Sequence, residues 1–113
     1  MIDFNKQENK KYATHGIYKT WIFVVSIIYV TCRDHLLTLY LDDGTTLFDD
    51  CPLHTLETEL ADCGFFRINH NTLVNLRYVT QDYYKNGQKY IRLAQKVLKV
   101  ARRRVKNWNN LEK

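Results

Sequence analysis

FFRINHNTLVNLRYV, residues 65–79, begins and ends like a buried β-strand, yet its middle carries Asn69, His70, Asn71 and Asn75. Such groups cost free energy to bury unless each finds a partner. One reading is a turn whose side chains cap their own backbone. The other is a projecting surface that reads a ligand rich in donors and acceptors. Asn75 stands apart from the rest. Flanked by Val74 and Leu76, it is expected to point inward and satisfy backbone groups of the turn.

Outward from this stretch the chain reads as a succession of short strands. Trp21–Val25 and Ile27–Thr31 are β-branched and aromatic, so both are expected to be strands with at least one buried face. Their combined run, WIFVVSIIYV, is about half of what a helix needs to cross a bilayer, and no membrane span is expected. Leu36–Leu41 leads into Asp42-Asp43-Gly44, a hairpin signal, and Thr45–Phe48 returns. A second hairpin is expected from Val79–Tyr84, the Asn86-Gly87 turn and Tyr90–Leu93, followed by a strand over Val97–Val100. Leu53, Leu56 and Leu60 fall at i, i+3 and i+7, which predicts one amphipathic helix over about 53–62. Asp49 or Asp50 can cap that helix and Gly64 can stop it, with Glu57, Glu59 and Asp62 facing water. ARRRVKNW, residues 101–108, fits a short C-terminal helix or a loop. The fold class that follows is mainly β, with antiparallel sheets, one amphipathic helix and a short helical end. Residues 1–16 lack a period and are expected to be a loose N-terminal segment, with a single domain over 17–113.

The net charge of +5 hides an asymmetry. Residues 42–62 hold seven acidic groups and no Lys or Arg, whereas eleven basic residues between Arg77 and Lys113 face only Asp82 and Glu112. One electropositive side and an anionic partner are implied. Three cysteines, Cys32, Cys51 and Cys63, form no framework spacing, and no secretory signal is visible, which favours a reducing, cytoplasmic setting. Cys51 and His54, with Cys63 and His70 downstream, match no common zinc spacing, so no metal and no cofactor are expected. There is no glycine-rich phosphate loop, nucleophile elbow or His-Glu-x-x-His helix. The Asp pairs are explained by a hairpin turn and a helix start, and no enzyme is expected.

The basic third offers a different chemistry. Arg102, Arg103 and Arg104 are consecutive and fan out from any regular element, so one or two can enter a groove while others hold phosphates. The planar arginine fork suits guanine O6 and N7. Lys85, Lys89, Arg92, Lys96, Lys99 and Lys106 add phosphate attraction. In the opening stretch, Asn69, His70 and Asn71 occupy a turn from which side chains project, and asparagine can pair bidentately with adenine. His35, in CRDHLL between two strands, is a second polar donor on a loop.

The order IIYVTCRDHLLTLYLDDG, LHTLETEL, FFRINHNTLVNLRYV and VLKVARRRV resembles the LytTR family of bacterial DNA-binding domains. The specific part is FFRINHNTLVN, and the likeness runs over residues 24–108. It implies an elongated antiparallel fold whose loops, rather than a recognition helix, enter successive major grooves and bend the duplex. It also implies base contacts by His35, by Asn71 with His70 beside it, and by Arg102, with Arg103 and Arg104 as neighbouring contacts. Double-stranded DNA with direct-repeat sites, bound by a dimer or a tandem pair, would then be the partner, and transcriptional regulation the role. Ala101 departs from the serine common before the first arginine and removes a cap or phosphate donor. The receiver or membrane-embedded sensor usual upstream does not fit in residues 1–20, so the input is expected from another chain or a removed region. The competing reading is a basic β interaction module for RNA or an acidic protein, with Tyr83, Tyr84 and Tyr90 as stacking platforms.

Overall fold

The computed structural model describes residues 4–111; the first three residues of the expected loose segment and the last two of the expected domain lie outside the described residues. Strands β1 (Lys11–Ala13) and β2 (Trp21–Phe23) form a small antiparallel pair. Five strands make the central sheet: β3 (Ile27–Arg33), β4 (Leu36–Leu41), β5 (Thr46–Asp49), β6 (Phe65–Asn69) and β7 (Thr72–Asn75). Their order is β5-β4-β3-β7-β6, antiparallel throughout. Helix α1 (Leu53–Glu59) links β5 to β6. Strands β8 (Val79–Lys85), β9 (Gln88–Leu93) and β10 (Lys96–Lys99) form a three-stranded sheet, and a 3-10 turn at Arg102–Arg104 leads into α2 (Val105–Asn109).

The central sheet is buried on both faces, which is why its strands read as near-continuous apolar runs. On one face Val30, Leu37, Leu39 and Leu73 pack against Leu53 and Leu56 of α1, Leu60 at its C-terminal cap, and Tyr12. On the other, Tyr29, Ile68 and Val74 meet Ile91 and Leu93 of β9, Val100 and Trp108. Leu73 and Val74, adjacent in β7, point to opposite cores, as strand alternation requires.

The segment expected to be loose is attached. Gln7 is fully buried, and its side-chain amide donates to the Asn75 Oδ1 at 2.8 Å. Asn75 in turn donates to the Ile27 carbonyl at 2.8 Å and accepts from the Arg77 backbone N–H at 3.0 Å. The inward, structural role expected of Asn75 is therefore observed. Tyr12 is buried as well. The backbone adds to this through the three-residue pairing of β1 with β2, which is too short to leave a periodic signature in sequence.

The helix also differs in detail. Its N-cap is Pro52, with no side-chain capping bond. Asp49 cannot serve because it ends β5 opposite Leu37, and strand alternation turns its carboxylate toward Tyr12 and His15. Nor does Glu57 simply face water, since it pairs with Arg67 of β6 at 3.1 Å.

Candidate nucleic-acid interface

Two hairpin tips lie at the same end of the central sheet. The β3–β4 hairpin turns at Asp34-His35, where φ is 51° and 65°. Two consecutive positive φ values define the type I′ turn that matches strand twist. The β6–β7 hairpin turns at His70-Asn71. Because Thr31 pairs with Thr72, and the Cys32 N–H donates to the Asn71 carbonyl at 2.8 Å, the end of β3 lies beside the second tip. Arg33 and the Asp34-His35 turn extend just beyond it. All four tip residues, and Arg33, are exposed.

The arginine run arrives at this end by a third route. The Ala101 N–H donates to the Ile68 carbonyl at 2.8 Å, so Arg102 starts one residue's reach from Asn69. Arg102 and Arg103 are exposed. Asn69, His70, Asn71, Thr72, Lys99 and Ala101 line an open depression of about 400 Å³. Ala101 precedes the 3-10 turn without a side-chain cap, as its departure from serine implies.

The expected site residues do not all have free groups. The Asn69 side chain accepts from the Asn71 backbone N–H at 2.7 Å, so Asn69 caps the turn while the side chains of His70 and Asn71 project. Arg104 is half-buried and donates to the Arg67 carbonyl at 3.3 Å, behind the tip. Lys96 begins β10, at the opposite end of that strand from Lys99, and does not line the depression. Lys89 is buried, 3.2 Å from the Asp82 carboxylate, with its ammonium 4.5 Å from the centre of the Tyr84 ring. This pairing withdraws Lys89 from any phosphate contact.

One arginine has structural contacts that the sequence analysis does not name, and a second lies exposed beside a tip. Arg67 donates to the His70 carbonyl at 2.6 Å and to Glu57 at 3.1 Å, bracing the turn from behind. An arginine between Phe66 and Ile68, inside an otherwise apolar strand, was the available signal. Arg33 sits exposed at the end of β3 next to Asp34-His35. Its position directly before the predicted loop would have suggested it.

The tyrosines behave as sheet packing. Tyr83 and Tyr90 are cross-strand partners with ring centroids 5.7 Å apart, stacked on each other rather than held open for bases. Tyr84 is exposed, and its hydroxyl accepts from Asn109 at 3.0 Å.

No described helix is long and apolar enough to cross a membrane. The family model of the LytTr DNA-binding domain matches residues 19–112. Among solved structures, the LytTr DNA-binding domain of a Bacillus cereus protein described as a methyl-accepting/DNA response regulator is similar, with a TM-score of 0.72 at 14% identity. The match covers 88% of this chain and 93% of that one. No curated protein matches the chain significantly.

Proposed function

The chain belongs to the LytTr DNA-binding domain family, whose members are DNA-binding domains rather than enzymes, and on that premise we propose that it reads duplex DNA by inserting its two hairpin tips and the start of the arginine run into successive major grooves. Transcription regulation is the role that goes with DNA binding in this family. His35, Asn71 and Arg102 are the base readers. His70, Arg103, Lys99 and Arg33 hold phosphates or sugar edges around them, while Asn69, Arg67 and Arg104 set the shape of the second tip. Lys96, at the far end of β10, contributes only to the general field. The observation that carries the reading is the convergence of three exposed polar segments, distant in sequence, at one end of a sheet buried on both faces. Rigid elements with exposed loops are where binding residues work best.

Tips spaced along one sheet end suit a site longer than a single groove segment. Direct repeats bound by a dimer or a tandem pair fit this geometry, with the regulatory input delivered by a sensor or receiver elsewhere. The packed tyrosine pair argues against the RNA-binding alternative.

Selection from a random duplex library is the test. A motif repeated at about one helical turn is expected to be enriched. Steep salt dependence with no enriched motif would reduce the tips to phosphate grips. On the selected site, Arg102→Ala and Asn71→Ala should each cost about 1–3 kcal/mol and relax preference at one position. Equal losses on selected and scrambled duplexes would remove that residue from the reading set.

A further inference from the structure

We propose that His15, Asp49 and Cys51 form a binding site for a zinc-class divalent cation, coordinated through His15 Nδ1, an Asp49 carboxylate oxygen and Cys51 Sγ. The three ligand atoms lie within 4.8 Å of one another. Tetrahedral zinc, with bonds of about 2.0–2.1 Å to nitrogen or oxygen and about 2.3 Å to sulfur, sets nitrogen and oxygen roughly 3.3 Å apart and sulfur roughly 3.5 Å from either. Here the Nδ1–Oδ2 separation is 3.2 Å and the Sγ–Oδ2 separation is 3.8 Å. Two of the three separations are thus close to coordination geometry, and a bound cation would displace the Tyr12 hydroxyl that now lies among the three ligand atoms.

The surroundings match what a metal site requires. The Asp49 side chain has no exposure and Cys51 is 6% exposed, whereas the His15 side chain is 37% exposed. That open flank leaves room for water as a fourth ligand. The other ring nitrogen of His15, Nε2, is 3.4 Å from the Glu59 carboxylate. A carboxylate on the far nitrogen fixes the tautomer and ring orientation that present Nδ1 to a metal. The Tyr12 hydroxyl donates to Asp49 and lies 3.2 Å from Nδ1 and 3.7 Å from Sγ, so it gathers the same three atoms in the metal-free chain. A thiolate and an imidazole with a single carboxylate favour zinc over magnesium or calcium. As the sulfur–metal bond forms, the Cys51 thiol proton leaves to solvent. The bound cation would fasten residues 12–15 to the edge strand β5, opposite Leu37 and two residues on from His35.

The sequence hid this set. His15 lies in a segment without a period, Asp49 stands where a helix cap is expected, and Cys51 is spaced as a pair with His54, which is exposed on α1.

The test is titration of chelator-stripped protein with cobalt(II) and then zinc(II), without DNA. One equivalent of cobalt should give a thiolate-to-metal charge-transfer band in the near ultraviolet together with tetrahedral visible bands, both displaced by zinc. Cys51→Ser should abolish the charge-transfer band, and Cys63→Ser should leave it intact. Glu59→Gln, an exposed change that spares the fold, should keep the band and weaken zinc by about tenfold or more. The absence of a band in the unaltered chain overturns the site, as does a band that survives Cys51→Ser. Unchanged zinc affinity in Glu59→Gln overturns the assignment of Nδ1 as the liganding nitrogen.

Discussion

At the level of single residues, His35 is held in a conformation that its own chemistry disfavours. Its φ of 65° follows an Asp34 φ of 51°, and the left-handed region costs a non-glycine residue on the order of 1 kcal/mol. Glycine at the second central position of this turn type would relieve it. His35→Gly should therefore raise the urea midpoint, by about 0.5–1 kcal/mol of stability, while weakening binding to the selected duplex. His35→Ala should weaken binding without the stabilisation. If His35→Gly binds as tightly as the parent, the imidazole is not a reader. Individual residues were legible where chemistry and neighbours agreed. Asn75 between two apolar residues had to find partners inside, and it found Gln7, Ile27 and Arg77. Asn69 was not separable from Asn71 in sequence, because only the turn geometry decides which amide caps and which projects.

At the level of elements, α2 is five residues long, too short to hold itself as an isolated helix. Trp108 holds it. The indole is 2% exposed, meets the Phe66 ring edge-on at 5.4 Å and donates to Asp82 at 2.7 Å, tying α2 to both β6 and β8. Trp108→Ala should cost about 3–5 kcal/mol in chemical denaturation, and a loss under about 1 kcal/mol would mean that α2 is not a structural tie. A second tie is Tyr78, just before β8, whose hydroxyl donates to the Val25 carbonyl. Burial, and then the Asp42 charge, push its phenol above the ordinary value. A folded-state pKa raised in this way contributes stability that is complete below the unfolded value of about 10 and is lost as pH rises further. The urea midpoint should fall above about pH 10, and Tyr78→Phe should remove part of that fall while costing about 1 kcal/mol at neutral pH. Tyr12, Tyr29 and the thiols of Cys51 and Cys63, all raised chiefly by burial, contribute to the remainder, the thiols beginning at lower pH than the tyrosines. An alkaline profile unchanged by Tyr78→Phe would show that Tyr78 does not report on folding. Elements with a period or a turn signal were readable: the leucines of α1 and the Asp42-Asp43-Gly44 and Asn86-Gly87 turns fall where expected. The turn at His70-Asn71 was readable from its polar residues, although it lacks the glycine that marks the other two. The start of α1 at Leu53 was readable, but its cap was not, because register, not proximity, decides where Asp49 points.

For the whole molecule, charge is sorted by position rather than by count. Helix α1 and its acidic residues lie on the face of the sheet opposite β8–β10, and several acidic groups are paired, as Glu57 is with Arg67 and Asp62 with Lys10. Only lysines and arginines free of such partners should register in the salt dependence of DNA binding. Lys99→Ala should lower the slope of log affinity against log salt by about 1. Lys89→Ala should leave the slope alone and instead destabilise the fold, because its ammonium is already engaged by Asp82 and Tyr84. A slope lowered by Lys89→Ala would overturn that distinction. Composition revealed the basic excess but not which cations were engaged, because pairing across strands depends on register. The double burial of the central sheet has a further consequence. Strands β3 and β7 lie in its middle and carry one tip each, so their amides should be among the slowest to exchange with solvent. The tips then hang from the part of the molecule that opens least, and little ordering remains to be done at the moment of encounter. Preference among duplexes will be expressed in how long a complex lasts rather than in how fast it forms.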